Sequence, residues 1–150
     1  MSEKLKQICA FIIKERKNSN ENISNLILQK LLYFVQAGSL IYLGEVAFED
    51  EIEAWQYGPV VPEAYREFKY NSIDLENIDI KNEFEDSKLA ELIRNILVAL
   101  KDKGPFDLVD LTHSYDSWLN AWNSGELVIT PEKIKDCHEK LKKIQNGYIF

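Results

Sequence analysis

The segment that most constrains the fold runs from Glu53 to Phe68 and combines two prolines and a glycine with four aromatic side chains. Pro59 and Pro62 each hold φ at about −65° and lack a backbone N–H, so few backbone paths lead through this segment. Gly58 precedes a proline, which favours extended or special backbone angles. Pro62 suits the first position of a helix, predicted to reach Lys69. The sequence therefore predicts a strand end, a rigid elbow and a helix.

Two interpretations of the elbow are open. In the first interpretation, the elbow is a corner of the hydrophobic core, with Val61, Tyr65 and Phe68 pointing inward. Alternatively, it is a binding surface, because Trp, Tyr and Arg are the side chains that most often anchor protein interfaces. Trp55, Tyr57, Tyr65 and Arg66 would form that set.

Composition restricts the class of protein. The chain has 150 residues with 45% hydrophobic content, enough for one domain with a real core. Its net charge of −7 argues against a general nucleic-acid binder. It has no run of about 18 apolar residues and no secretory signal pattern, so we expect no membrane association and a cytoplasmic protein. Cys9 and Cys137 are expected to be free buried thiols, with a disulfide as the alternative.

The central element is a helix predicted over Asn25–Leu43, which is apolar nearly all round and therefore buried. Its polar exceptions, Gln29 and Lys30, mark either a solvated edge or a lysine beside a recognition surface. Shorter amphipathic patterns predict further helices around it. These cover Lys4–Lys17, a helix capped by Ser87, Leu108–Thr112 capped by Asp107, one beginning at Asp116 or Ser117, and one beginning at Thr130-Pro131.

Alternating apolar residues over Val46–Tyr57 predict a β-hairpin, with its turn at Glu49-Asp50. The acidic stretch Asn71–Asp86 is expected to be a surface loop. The predicted fold is mainly α, with about six to seven helices around the central helix and one small β-hairpin. Residues 1–150 are expected to form a single compact domain.

The sequence offers no catalytic, cofactor-binding or metal-binding constellation. His113 and His138 lie far apart and neither belongs to a metal-binding pair. His113 has Asp110, Ser114 and Asp116 nearby in sequence, which could make a polar cluster. The other interpretation is a structural histidine at a helix end, bonded to backbone. We expect no enzyme.

Three motifs resemble those of the Panacea-domain family, the SocA-like, phage-associated proteins. The first is Leu28–Ala37. The second includes Gly44, Phe48 and the run Ile52–Pro62, and extends through Tyr65 and Phe68. The third is Leu111-Thr112-His113 followed by Trp118, where Ser117 replaces the family's proline.

The resemblance implies a compact helical domain with a small hairpin. It also implies an antitoxin from a bacterial or prophage toxin–antitoxin operon, which neutralises a cognate toxin, encoded nearby, by direct protein contact. One type of member is a proteolytic adaptor for a AAA+ protease, a role that nothing in this chain selects. The alternatives are a prophage accessory protein that binds a host factor, and a small enzyme with a polar pocket near His113. The expected partner-binding residues are Lys30, Trp55, Tyr57, Gly58, Pro59, Tyr65, Arg66 and His113.

Overall fold

The computed structural model describes all residues from Met1 to Phe150. The fold is mainly α, as predicted, with eight α-helices and one small three-stranded antiparallel sheet. The helices are α1 (Glu3–Asn18), α2 (Asn25–Gly38), α3 (Pro62–Glu76), α4 (Asn82–Glu85), α5 (Lys88–Ala99), α6 (Pro105–His113), α7 (Asp116–Ser124) and α8 (Pro131–Ile144). The strands are β1 (Ile52–Trp55), β2 (Gly58–Val60) and β3 (Val128–Ile129).

Helix α2 lies at the centre, as predicted. The Ser24 hydroxyl caps its N-terminus by accepting from the Ile27 N–H. The helix continues as a π-helical turn over Ser39–Leu43 and ends at Gly44, whose φ is +73°. Asn25–Leu43 is long and apolar enough to cross a membrane by length and composition, but 78% of its most apolar 18-residue window is buried inside the protein. That burial is what a core helix requires.

The hairpin lies later in the chain than predicted. Strands β1 and β2 pair antiparallel with Trp55 opposite Gly58, so the turn is Gln56-Tyr57. The prediction of a turn at Glu49-Asp50 is therefore wrong. The elbow itself supplies the turn and second strand, because Gly58 adopts a φ of +110° that other residues rarely adopt. A third strand, β3, pairs with the other edge of β1.

Two other details differ from the predictions. Helix α3 continues to Glu76 through a kink at Asn71, and α4 follows, so Asn71–Asp86 is largely helical rather than a loop. Helix α6 begins at Pro105, with Gly104 as its N-cap residue. Asp107 is therefore not the N-cap but lies in the first turn, where its carboxylate accepts the Gly104 N–H at 2.8 Å. Cys9 and Cys137 are free and buried, as expected.

A buried polar network joins α2, α7 and α8. The Tyr33 hydroxyl lies 2.5 Å from Ser117 Oγ and 2.8 Å from His138 Nε2. His138 Nδ1 is bonded to the carbonyl of Ile149, which requires the proton on Nδ1 and makes Nε2 the acceptor of the Tyr33 hydroxyl. Burial lowers the pKa of His138 to about 4, so the ring is neutral near pH 7. The network fixes the segment around Ile149 against the core.

Candidate functional site at the junction of the core helix, the hairpin and helix α6

Gln29 and Lys30 hold the outer edge of the hairpin. Strand β2 is an edge strand, so the backbone groups on its outer side have no strand to pair with. Gln29 Oε1 accepts the Val61 N–H at 2.8 Å, and Lys30 Nζ donates to the Pro59 carbonyl at 2.8 Å. Gln29 and Lys30 are 1% and 0% exposed, so the interpretation of a solvated edge is wrong. Both serve as substitutes for a neighbouring strand.

Gly58 lies in close contact with side chains of α2 and α6. A Cβ added there would lie 2.8 Å from Thr112 Oγ1 and 3.0 Å from Lys30 Cε. Thr112 is fully buried and donates to carbonyls of its own helix. The position therefore requires glycine for two reasons, its positive φ and the lack of room for a side chain.

The turn of the hairpin is held by two aromatic rings from α6 and α7. His113 Nε2 donates to the Gln56 carbonyl at 3.0 Å, and Trp118 Nε1 donates to the Trp55 carbonyl at 2.9 Å. The two rings stack with centroids 4.1 Å apart. His113 is thus a histidine at a helix end that is bonded to backbone. This is the structural role predicted as one of two possibilities, the other being a polar cluster.

The three family motifs converge at this point, which we call the signature joint. It consists of Gln29 and Lys30 from the first motif, Gly58 and Pro59 from the second, and Thr112, His113 and Trp118 from the third. In each of its four hydrogen bonds between motifs, a side chain of one motif binds the backbone of another. The joint therefore fixes the position and conformation of the Gln56-Tyr57 turn.

The predicted partner-binding residues differ in their access to solvent. Tyr57, at the turn, is 56% exposed, whereas Lys30, Gly58 and Pro59 are buried. None of those three can contact a partner without rearrangement. Their position makes them supports for the turn.

The remaining predicted residues lie on the outer face of the hairpin and on α3. Trp55 is half-buried, donates to Glu53 at 2.9 Å and packs edge-on against Tyr65 with ring centroids 5.1 Å apart. Arg66 is exposed and pairs with Glu63 at 3.0 Å. Trp55, Tyr65 and Arg66 are thus partly or fully accessible.

Sequence reasoning missed Gln29, Thr112, Trp118 and Trp122 as site residues. Trp122 stacks on Trp118 with centroids 5.7 Å apart and is 46% exposed, which extends the aromatic surface beyond the joint. A signal was available for Gln29, since a polar side chain on a helix that is otherwise apolar must find a buried partner. No comparable signal pointed to Trp122.

Lys30 has an unusual electrostatic environment. Its amine makes one hydrogen bond, to the Pro59 carbonyl, and no salt bridge. Burial lowers its pKa to about 7 from the ordinary value near 10.5. Between these two values the unfolded chain binds a proton that the folded chain does not, so stability rises with pH across that interval.

We expect a Lys30→Met variant to lose this pH dependence. The free energy of unfolding of the unchanged protein should rise, relative to the variant, by about 2 kcal/mol from pH 7.5 to 9, at up to about 1.4 kcal/mol per pH unit. Urea titrations at each pH measure the difference, and the contributions of buried Cys9, Tyr33 and Tyr115 cancel in it. A difference that stays constant with pH would show that Lys30 is charged in the folded state.

The fold and the joint define a class: a small helical domain in which a core helix and a Thr-His helix hold an aromatic β-turn. The family described as antitoxin SocA-like, Panacea domain, matches residues 28–119, and the chain belongs to this family. That range includes every residue of the joint.

Among curated proteins, the chain is similar to Antitoxin SocA of Caulobacter vibrioides (strain NA1000 / CB15N), with 33% identity over 104 residues. The aligned region covers 61% of this chain and 55% of the relative, so the chain spans about half the relative's length. No solved structure matches.

Proposed function

We propose that this protein is the antitoxin of a toxin–antitoxin pair and neutralises its toxin by direct protein contact. Membership of a SocA-like antitoxin family supports the general role. Within this proposal, residues 1–150 act as one SocA-like domain in the cytoplasm, and no reaction is assigned to them.

The observation that carries the proposal is the exposed tyrosine on a turn that the family motifs immobilise. Tyr57 is 56% exposed, while the carbonyls of the two preceding residues are bound by Trp118 and His113. A tyrosine buries a large area with only two side-chain torsions to fix, and a rigid turn avoids most of the entropic cost of ordering a loop. Such a turn is suited to insert into a partner.

We assign the toxin-binding surface to the accessible side chains around this turn. They are Tyr57 at the turn, the half-buried His113 beside it, and Trp122, which continues the aromatic stack. Arg66, its chain neighbour Tyr65, and Trp55, whose ring packs on Tyr65, are assigned to the rim of the surface. A rim charge contributes more to the rate of association than to affinity.

The competing enzyme hypothesis requires a cleft lined by Trp55, Tyr57 and His113. Neither the polar pocket of about 370 Å³ between α7 and α8 nor the apolar groove beside α5 includes any of these residues. His113 Nε2 is also already bonded to the Gln56 carbonyl. These observations favour an interaction module over an enzyme.

Co-expression with the adjacent reading frame tests the proposal. We expect the neighbouring gene product to arrest growth alone, and to be neutralised and co-purified when this protein is present. Neutralisation that disappears in a host lacking AAA+ proteases would assign the adaptor mechanism rather than direct blocking. Failure both to rescue growth and to co-purify would refute the proposed pairing, and a host protein captured instead would favour the accessory-protein alternative.

A further inference from the structure

A second surface, away from the turn, has the form of a binding groove. It lies between α5, the π-helical turn and the segment Tyr148–Phe150, with a volume of about 770 Å³. Ten of its fourteen lining side chains are hydrophobic. An open apolar groove of this size on a soluble domain usually has an occupant.

The walls of the groove are regular. Helix α5 contributes Leu92 and Ile96 at four-residue spacing, and Leu100 follows directly after the helix. On one side the π-helical turn places Tyr42, which is 51% exposed, and on the other Tyr148 is 75% exposed. Single π-helical turns are frequent at functional sites. The two tyrosines give the groove the side chains that anchor interfaces.

Lysines mark both ends of the groove. Lys88 begins α5 and Lys103 follows its C-terminal end, while Glu91 and Asn95 lie between them along the wall. Lys142 Nζ lies 5.7 Å from the centre of the Tyr42 ring. With Glu91 as the one acidic residue of the lining, the groove has a small excess of positive charge on a chain whose net charge is −7. It complements an acidic partner.

We propose that the groove binds an amphipathic helix of a partner protein, with an apolar face and carboxylates near both ends. A helix that lies along the 12 residues of α5 needs at least about 12 residues of its own at a rise of about 1.5 Å each, and a few more bring its ends to the two lysines. The inference does not depend on the toxin surface.

The test uses a synthetic probe: a fluorescent 15-residue stapled helix with leucines at positions i, i+4, i+7 and i+11 and glutamates at both ends. Fluorescence anisotropy measures its binding to the full chain. We expect binding to weaken at least tenfold in the Tyr42→Ala/Tyr148→Ala double variant. Tyr70→Ala, which removes a tyrosine that is 71% exposed on α3, serves as the matched control and should bind unchanged.

Charge provides an independent measurement. A Lys88→Glu/Lys103→Glu variant should weaken binding of the glutamate-ended probe about tenfold at low salt and strengthen binding of a lysine-ended probe. Lys135→Glu, an exposed change on α8, is the control. Three results would overturn the inference: no binding, equal binding to the tyrosine double variant, or sedimentation showing that a second copy already covers the groove.

Discussion

A Gly58→Ala variant is expected to lose about 3–5 kcal/mol of unfolding free energy, which would lower its melting temperature by roughly 10 °C. The strain of a non-glycine residue at φ +110° adds to the collision of a Cβ with Thr112 Oγ1 at 2.8 Å and Lys30 Cε at 3.0 Å. Because the collision also displaces the turn, the proposed function predicts that toxin binding falls with stability. Chemical denaturation and thermal melting measure the loss.

The matched control is Gly44→Ala. Gly44 also has a positive φ, +73°, but no atom lies within 4 Å of an added Cβ. Only the backbone strain then applies, and the expected loss is about 1 kcal/mol. Equal losses in the two variants would show that close approach at the signature joint contributes nothing.

The second large effect is expected for Trp118→Ala, which should destabilise the protein by about 3–5 kcal/mol. Trp118 is 5% exposed, stacks on His113 and donates to the Trp55 carbonyl, so its removal leaves a cavity and an unpaired carbonyl. Urea denaturation measures the change in stability. Trp118→Phe should restore part of it, because the ring returns without the donor.

Trp122→Ala is the control for Trp118→Ala. Trp122 is 46% exposed and makes no hydrogen bond to the turn, so its loss should cost no more than about 1 kcal/mol. It should, however, weaken toxin binding if the aromatic surface is used. A Trp118→Ala protein as stable as the Trp122→Ala protein would contradict the assignment of Trp118 to the joint.

The helices were largely predictable from sequence because their signals are local. The caps at Ser24, Ser87 and Thr130 and the stop at Gly44 lie where the sequence indicated them. The prediction placed the first strand of the hairpin too early in the chain, because it took the alternation of Val46 and Phe48 as a strand pattern. This segment pairs with no strand. The Gln36 amide binds the backbone of this segment, accepting the Ala47 N–H and donating to the Phe48 carbonyl, so a side chain takes the place of a strand.

The site was predictable only in part. The motifs named Lys30, Gly58, Pro59 and His113, but their spacing does not show that they meet at one place. Both interpretations of Lys30, a solvated edge and a lysine beside a recognition surface, place it outside the core, and buried lysines without a carboxylate partner are indeed rare. Its burial depends on β2 being an edge strand, which is a property of the tertiary structure.

The central claim is that the signature joint presents Tyr57 to the toxin. Its most direct test is the affinity of the Tyr57→Ala variant for the purified product of the adjacent reading frame, measured by calorimetry beside Tyr70→Ala. We predict that Tyr57→Ala weakens binding at least tenfold with a nearly unchanged melting temperature, and that Tyr70→Ala binds like the unchanged protein. Equal affinity of the Tyr57→Ala variant and the unchanged protein would contradict the claim.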